Sequence, residues 1–336
     1  MENNQTNEFK DKVILVTGGT GTIGSELVRQ LLRYKPKQIR VLSRNETRQY
    51  DLLESLRYPP NVRMLIGDIR DRERLQTAFY GVDIIFHAAA LKHVPFCEYN
   101  PSEAIKTNII GSHNIIEAAL HSGVQKIIAI STDKVANPMN VLGVSKLMME
   151  QLMINSNFFL TGKIKLACVR FGNVAWSSGS VLPMWKNQAE THRHIKMTNK
   201  NATRFLMTIN QAIKLTIKAA QLCHGGEVFI LKMPSVSLGG LADAFIQKYY
   251  PKKKISIKTI GDRAGDKGHE DLLGLNDHGK EIWTDKDMFI LVPSKKNNDF
   301  TKSDQGYFYN GFEKIQNNEG FSSKDNIDIK KILKII

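Results

Sequence analysis

Cysteine is scarce in this 336-residue chain: Cys97, Cys168 and Cys223 are the only three, far apart and in no metal-ligand spacing. That excludes a disulfide framework and a zinc-finger-type site, and it fits core thiols in a reducing compartment. His and Cys do not cluster at ligand spacing, so no metal is expected. Long hydrophobic runs are missing as well. No stretch reaches the roughly 18–20 apolar residues that span a bilayer, so no membrane insertion is expected. Met1 to Asp11 is polar and lacks the apolar centre of a secretory signal; a cytoplasmic protein is expected. No repeat of solenoid length is visible. Acidic side chains are outnumbered, 33 Asp and Glu against 47 Lys and Arg, for a formal charge of +14. The deficit is local: residues 151–224 hold one acid, Glu190, against ten bases, whereas residues 1–150 hold 16 acids and 19 bases. A positive field over the middle of the chain attracts an anionic ligand. No basic stripe with interleaved aromatics is present, so nucleic acid is not the expected partner.

What is present is alternation. Short apolar, β-rich runs at Val13–Val16, Ile39–Leu42, Val62–Ile66, Asp83–His87, Lys126–Ile130 and Leu166–Phe171 are separated by helical patterns. Those patterns begin near Thr22, Glu46, Asp71, Pro101 and Val141. This order predicts βαβ units: an α/β fold with a Rossmann doubly wound parallel sheet and a smaller, interleaved substrate-binding domain. Residues 1–173 are expected to form the nucleotide-binding part, completed by some of 205–235. Residues 174–295 would mainly bind substrate, and 296–336 would be a partly flexible tail rich in Lys, Asn, Ser and Asp. Later elements are expected at Asn210–Cys223 (helix), Glu227–Leu231 (strand), Leu238–Tyr249 (helix), Ile255–Ile260 (strand) and Ile327–Ile336 (short helix).

The run Thr17-Gly18-Gly19-Thr20-Gly21-Thr22-Ile23-Gly24 joins the first strand to the first helix. Gly18 permits the tight turn, Gly21 a close approach of backbone to a pyrophosphate, and Gly24 tight helix–sheet packing. The phosphate would meet free N–H groups at the helix start, with Thr20, Thr22 and Ile23 in the same loop. The second strand ends in Ser43-Arg44-Asn45. A basic residue there accepts a 2′-phosphate where an acidic one would take ribose hydroxyls, so NADP is favoured over NAD. Asp68 and Ile69 after the third strand, and Ala88, Ala89 and Ala90 after the fourth, would line the adenine and nicotinamide sides.

Ser131-Thr132-Asp133-Lys134 ends the fifth strand, where ligands bind in open parallel sheets. A hydroxyl, a carboxylate and an ammonium side by side offer an acid and a base to one substrate. The same tetrapeptide reads equally as a strand end followed by a helix cap. Downstream stand Leu142 and Lys146, one helical turn apart.

Together with Gly67-Asp68, Lys106-Thr107-Asn108, Thr203-Arg204-Phe205 and the run from Ala88 to Lys92, His93, Val94 and Pro95, these stretches resemble a known family. It is that of the UDP-N-acetylglucosamine 4,6-dehydratases, extended short-chain dehydrogenases/reductases of capsule and flagellin-glycan pathways. The likeness runs from about Lys12 to at least Leu273. It implies a UDP-sugar, UDP-N-acetylglucosamine or a relative, as substrate and tightly bound NADP. The implied reaction oxidises sugar carbon 4, loses the carbon-5 proton and carbon-6 hydroxyl, and returns the hydride to carbon 6. Asp133 would be the acid for the hydroxyl and Lys134 the base at carbon 5. That lysine must be neutral, hence desolvated or near cations such as Lys146. Thr132 would bind the carbon-4 oxygen and Lys146 the nicotinamide ribose. Lys92 and Asn108 would serve the cofactor region; Lys92, His93, Asn173, Ser180 and Val181 the substrate; Arg204 its diphosphate; His269 and Glu270 a segment closing over the nucleotide. The likeness also implies a homo-oligomer, through helices at Pro101–His121 and Val141–Met153.

Two positions depart from the family's pattern. Leu142 replaces the tyrosine of Tyr-x-x-x-Lys and can move no proton, although one branch of the family carries methionine there. Ser178 stands where an arginine is usual. A UDP-sugar 4-epimerase and a catalytically impaired NADP- or nucleotide-sugar-binding protein are therefore the alternatives. The configuration at carbon 5 and the substituent at carbon 2 are not read from the sequence.

Overall fold

The computed structural model describes residues 7–159, 163–274, 277–293, 307–315 and 320–336. The expected apolar runs form β1 (Val13–Thr17), β2 (Gln38–Ser43), β3 (Val62–Ile66), β4 (Ile84–His87), β5 (Lys126–Ile130) and β6 (Lys165–Arg170). All five positions of β1 and of β5 are buried, as parallel strands covered on both faces require. These six pair in parallel in the order β3-β2-β1-β4-β5-β6. The chain moves outward from β1 to β3 and then restarts on the other side at β4. The switch point between β1 and β4 is thus where a ligand crevice opens in such a sheet. Among the crossover helices, Glu46–Ser55 and Arg72–Phe79 are capped by Asn45 and Asp71, each side chain accepting from the backbone N–H three residues on.

The helical pattern after Pro101 is not one regular helix. Between Pro101–Ala104 and Gly111–Leu120 it widens into a π-helical turn, Ile105–Ile110, a local irregularity that re-aims side chains. Here it turns Asn108 inward.

The second half adds β7 (Asn173–Val174), β8 (His194–Met197), β9 (Thr203–Met207), β10 (Val228–Leu231), β11 (Ser235–Ser237) and β12 (Ser256–Thr259). It continues with β13 (Asp271–Leu273), β14 (Glu281–Thr284), β15 (Met288–Val292), β16 (Glu313–Ile315) and β17 (Phe321–Ser322). β10 joins β6 in parallel, backed by the helix Ile209–Leu222, in keeping with the return expected from 205–235. One expectation needs correction. Residues 281–292 belong to the central sheet rather than the substrate lobe; β15 pairs antiparallel with β10, and β14 antiparallel with β15. Their apolar residues are buried in the main core, which a parallel-unit reading of the sequence did not anticipate. The tail, from 307 on, is built into the fold wherever it is described. β16 lines the sheet edge, β17 pairs with β13, and Ile332 of the helix Ile329–Ile335 is fully buried. Residues 294–306 lie outside the described residues.

A second, smaller core gathers Leu182, Trp185, Ile195, Leu241, Phe245 and Ile332. It is built on the helices Val181–His192, Leu238–Tyr249 and Ile329–Ile335. Between the two cores, Arg170 at the end of β6 is fully buried. It donates to Glu150 of the helix Val141–Phe159, to Asp277 and to the Leu272 carbonyl. Among the described residues no helix is long and apolar enough to cross a membrane.

Candidate active site

A cavity of about 720 Å³ opens along the carboxyl ends of β1, β4, β5 and β6 and runs beneath the smaller core. At one end the glycine loop turns as expected. Gly18 sits at φ +64°, and a Cβ there would lie 2.7 Å from the Ala89 backbone. At Gly24 a Cβ would come within 2.4 Å of the Gly18 carbonyl. The helix Thr22–Leu31 starts at Gly21 with no side-chain cap and no acid in its first turn. Its free N–H groups therefore face the cavity, the arrangement that receives a phosphate. Thr20, Thr22, Ile23, Ser43, Arg44, Asn45, Asp68, Ile69 and Ala88–Ala90 all line this end. Asn45 does so as a helix cap, its side-chain oxygen held by the Arg48 N–H at 2.8 Å.

Asp68 is held by Arg70 at 2.7 Å and faces Arg44 at 3.6 Å. Burial works against its charge, but the Arg70 hydrogen bonds win and keep its carboxyl below the ordinary range. Arg48 also lines the wall. Sequence reasoning missed it, although it stands in the first turn of the helix that follows Arg44.

Below this loop a buried relay fixes the strand ends. Thr17 Oγ1 meets His87 Nδ1 at 2.7 Å, His87 Nε2 meets Ser112 Oγ at 3.0 Å, and Ser112 donates to the Asn108 carbonyl at 2.7 Å. Burial, then the Lys146 charge, lowers His87 to about 3, so the ring is neutral. Because Ser112 spends its proton on the carbonyl, the His87 proton is assigned to Nε2. Asn108 does not reach the cavity, contrary to expectation. Its amide accepts from the Leu91 N–H at 2.8 Å and donates to the Leu91 carbonyl and to Ser145. It holds the loop that carries Lys92 and His93, both on the cavity wall.

At the centre, Thr132, Lys134, Leu142 and Lys146 line the cavity. Asp133 is fully buried just behind it. Its Oδ1 accepts from Lys134 Nζ at 2.9 Å and from Thr132 Oγ1 at 2.9 Å. Its Oδ2 has no hydrogen-bond partner among the described residues. Gly172 makes room for it: a Cβ there would lie 3.3 Å from Oδ2 and 2.6 Å from Phe205 Cβ.

The expectation of a neutral Lys134 beside Lys146 is not met. Burial disfavours its charge, but Asp133 and Glu270, at 2.9 and 3.3 Å, outweigh burial and hold the amine above its ordinary value. The depressed amine is Lys146. Burial lowers it to about 8, and its Nζ donates to the Ile130 carbonyl at 2.6 Å. Leu142, 4% exposed, offers an apolar surface where a hydroxyl would be needed to move a proton.

Toward the smaller core the wall includes Asn173, Ser180, Val181 and Arg204. Ser180 Oγ is buried without a hydrogen-bond partner among the described residues, at the uncapped start of the helix Val181–His192. Arg204 is less free than a diphosphate clamp should be. It donates to the carbonyls of Thr203 (2.8 Å), Lys267 (2.8 Å) and Gly268 (3.2 Å). His269 points away, onto Thr203 Oγ1 at 2.8 Å, and lies outside the cavity lining. Glu270 is also off the wall, buried behind Lys134. Lys196 and Arg263 line this end instead. No local pattern marks them; only the pairing of β8 with β12 brings these residues, 67 positions apart, to one rim.

Residues 14–292 match the polysaccharide biosynthesis protein family. The chain is 47% identical to an uncharacterized membrane protein of Methanocaldococcus jannaschii, over 93% of this chain and 96% of that one. It is 38% identical to a Campylobacter jejuni UDP-N-acetylglucosamine 4,6-dehydratase (inverting), over 98% of each. It is 35% identical to a Rickettsia conorii UDP-glucose 4-epimerase, over 94% and 92%. Among solved structures, Pen from Bacillus thuringiensis superposes with a TM-score of 0.90 at 39% identity, covering 98% of this chain and 97% of that one. The chain thus belongs to the polysaccharide biosynthesis protein family, in the company of the UDP-N-acetylglucosamine 4,6-dehydratases.

Proposed function

We propose that the protein is a nucleotide-sugar 4,6-dehydratase that uses NADP to convert UDP-N-acetylglucosamine into a UDP-4-keto-6-deoxy-N-acetylhexosamine. The observation that carries this reading is the 2.9 Å contact between Asp133 and Lys134 at the inner end of the cavity. Ammonium and carboxylate at that distance are one proton transfer away from amine and carboxylic acid. The transfer produces, in one step, both a base for carbon 5 and an acid for the carbon-6 hydroxyl. Exclusion of water favours the uncharged pair, because each charge loses its hydration. A substrate filling the cavity would therefore create its own catalyst from the resting ion pair.

The walls suit the cofactor. The Gly18 turn leaves no room for a side chain, the Thr22–Leu31 helix presents bare N–H groups, and Arg44 and Arg48 flank the adenosine side. NADP would supply a hydride acceptor and donor. Lys146, cationic below about pH 8, would hold the nicotinamide ribose. Thr132 would orient the carbon-4 oxygen, and Ser180, Asn173 and Lys196 would take the diphosphate. Exposed Ile105, Ile110, Val144 and Met148 lie on the segments expected to join two copies, with exposed Phe96 and Tyr99 on the preceding helix Val94–Tyr99, which supports a homo-oligomer.

Incubation with UDP-N-acetylglucosamine tests the reading. A product lighter by one water is expected by mass spectrometry; unchanged mass with a new sugar spin system would instead identify a 4-epimerase. That second reading is favoured by the epimerase relative. It leaves the acid–base pair without a task.

A further inference from the structure

Glu270 is far from the β5 turn in sequence, yet its carboxylate belongs to the same cluster. Residues 263–271 contribute Arg263 and Asp266 to the cavity wall and are anchored from three sides. Arg204 donates to the Lys267 and Gly268 carbonyls, Lys267 Nζ to the Asn137 carbonyl at 2.9 Å, and the Glu270 N–H to Ser323 Oγ at 2.8 Å. This anchoring sets Glu270 Oε1 3.3 Å from Lys134 Nζ, at 2% exposure. Two buried carboxylates therefore share one ammonium. Glu270 Oε2 and Asp133 Oδ2 are both buried with no hydrogen-bond partner among the described residues. The charged groups facing Glu270 are Lys134 and Asp133 from the turn after β5, Arg204 Nε from β9 at 4.0 Å, and Lys267 Nζ from its own segment at 4.0 Å. His269 is turned away onto Thr203.

We propose that Glu270 is a positioning residue whose own proton decides whether Asp133 and Lys134 stand as carboxylate and ammonium or as acid and amine. With Glu270 ionised, Lys134 has two carboxylates within 3.3 Å, Arg204 and Lys267 standing farther from Glu270 at 4.0 Å, and Lys134 keeps its proton. When Glu270 takes a proton from water, Lys134 loses one of its two carboxylate partners. The Lys134 proton can then pass to Asp133 Oδ1, leaving an amine, a carboxylic acid and a protonated Glu270, with no net change in charge. Burial, aided by the Asp133 charge against the pull of Lys134, raises the Glu270 carboxyl, so this uptake falls nearer to working pH than for a surface glutamate. The catalytic consequence rests on the dehydratase reading; the pairing itself does not.

The test uses the full chain and the variant Glu270→Gln, which keeps size and backbone bonds but cannot ionise. The first readout needs no nucleotide: pulses of acetic anhydride across a pH series, with modification of Lys134 followed by peptide mass spectrometry. The Lys134 midpoint is expected to fall by at least about one pH unit in the variant, a tenfold rise in free amine at a given pH. The second readout is the pH profile of water elimination. The alkaline fall in kcat is expected to move upward by about one unit, with KM for UDP-N-acetylglucosamine changed less than about threefold. An unchanged Lys134 midpoint overturns the proposal. If neither protein eliminates water, the dehydratase reading fails, and the lysine midpoint still decides the pairing. Should Glu270→Gln not fold, Glu270→Asp draws the carboxylate back by one methylene and is expected to lower the midpoint in the same direction; no shift there overturns the proposal equally.

Discussion

Replacement of Arg170 by methionine tests how the site is anchored. The guanidinium is fully buried and makes five hydrogen bonds: two to Glu150, two to Asp277 and one to the Leu272 carbonyl. Methionine fills most of the volume but donates nothing. Asp277 keeps Lys280 at 3.0 Å and the Gly274 N–H at 3.1 Å. Among the described residues Glu150 keeps only the Ser131 hydroxyl at 2.7 Å, so the variant strands one charge rather than two. Removal of one partner of a buried pair costs about 3–5 kcal/mol, and that loss is expected in urea unfolding at pH 8 followed by tryptophan fluorescence. The stranded carboxylate can escape by binding a proton, which folding would then promote. The sign follows: a group that binds protons more tightly when folded gains stability as pH falls. The deficit should therefore shrink toward pH 5, by at most about 1.4 kcal/mol per unit. Arg170→Met combined with Glu150→Gln should recover most of it at pH 8. A loss below about 1 kcal/mol, or one independent of pH, would refute the reasoning, since exposed pairs lose about that little.

Gly18→Ala should weaken NADPH binding at least about tenfold in a fluorescence titration, because a left-handed non-glycine residue costs about 1–3 kcal/mol and its methyl group would meet the Ala89 backbone. Arg44→Ala should lower the preference for NADPH over NADH by about 10- to 100-fold, the worth of a charged hydrogen bond of roughly 1.5–3 kcal/mol; equal affinity ratios would remove Arg44 from the phosphate site. Lys146 is lowered by burial to about 8, so its destabilising charge is fully present below pH 8 and is relieved as pH rises toward its unfolded value. Lys146→Met should accordingly be more stable than the parent at pH 7, with an advantage that fades by about pH 10. A constant difference across that range would contradict the assignment.

The nucleotide half was legible because its signals are local. A glycine loop between an apolar run and a helical pattern can fold in few ways, and the runs other than the edge strand β3 are largely buried, so each was found with ends off by at most one residue. The Pro101 helix was found too, but not its π-helical turn, since no residue there breaks helical spacing. The family resemblance brought Asn108, His269 and Glu270 forward as ligand contacts. Each instead bonds to protein atoms, because the groups they meet, Leu91, Thr203 and Lys134, are 17, 66 and 136 residues away. The same limit hid the antiparallel β14 and β15, which read as isolated apolar runs until β10 supplies a neighbour.

By itself the sequence determined the chemical groups and their local order: the phosphate turn, the Arg44 end, and an acid beside an amine after β5. Only tertiary structure decided their ionic state. Charge on a buried side chain depends on whatever long-range folding sets within about 4 Å of it. For Lys134 that includes Glu270, delivered by a segment that the local pattern of β5 does not contain.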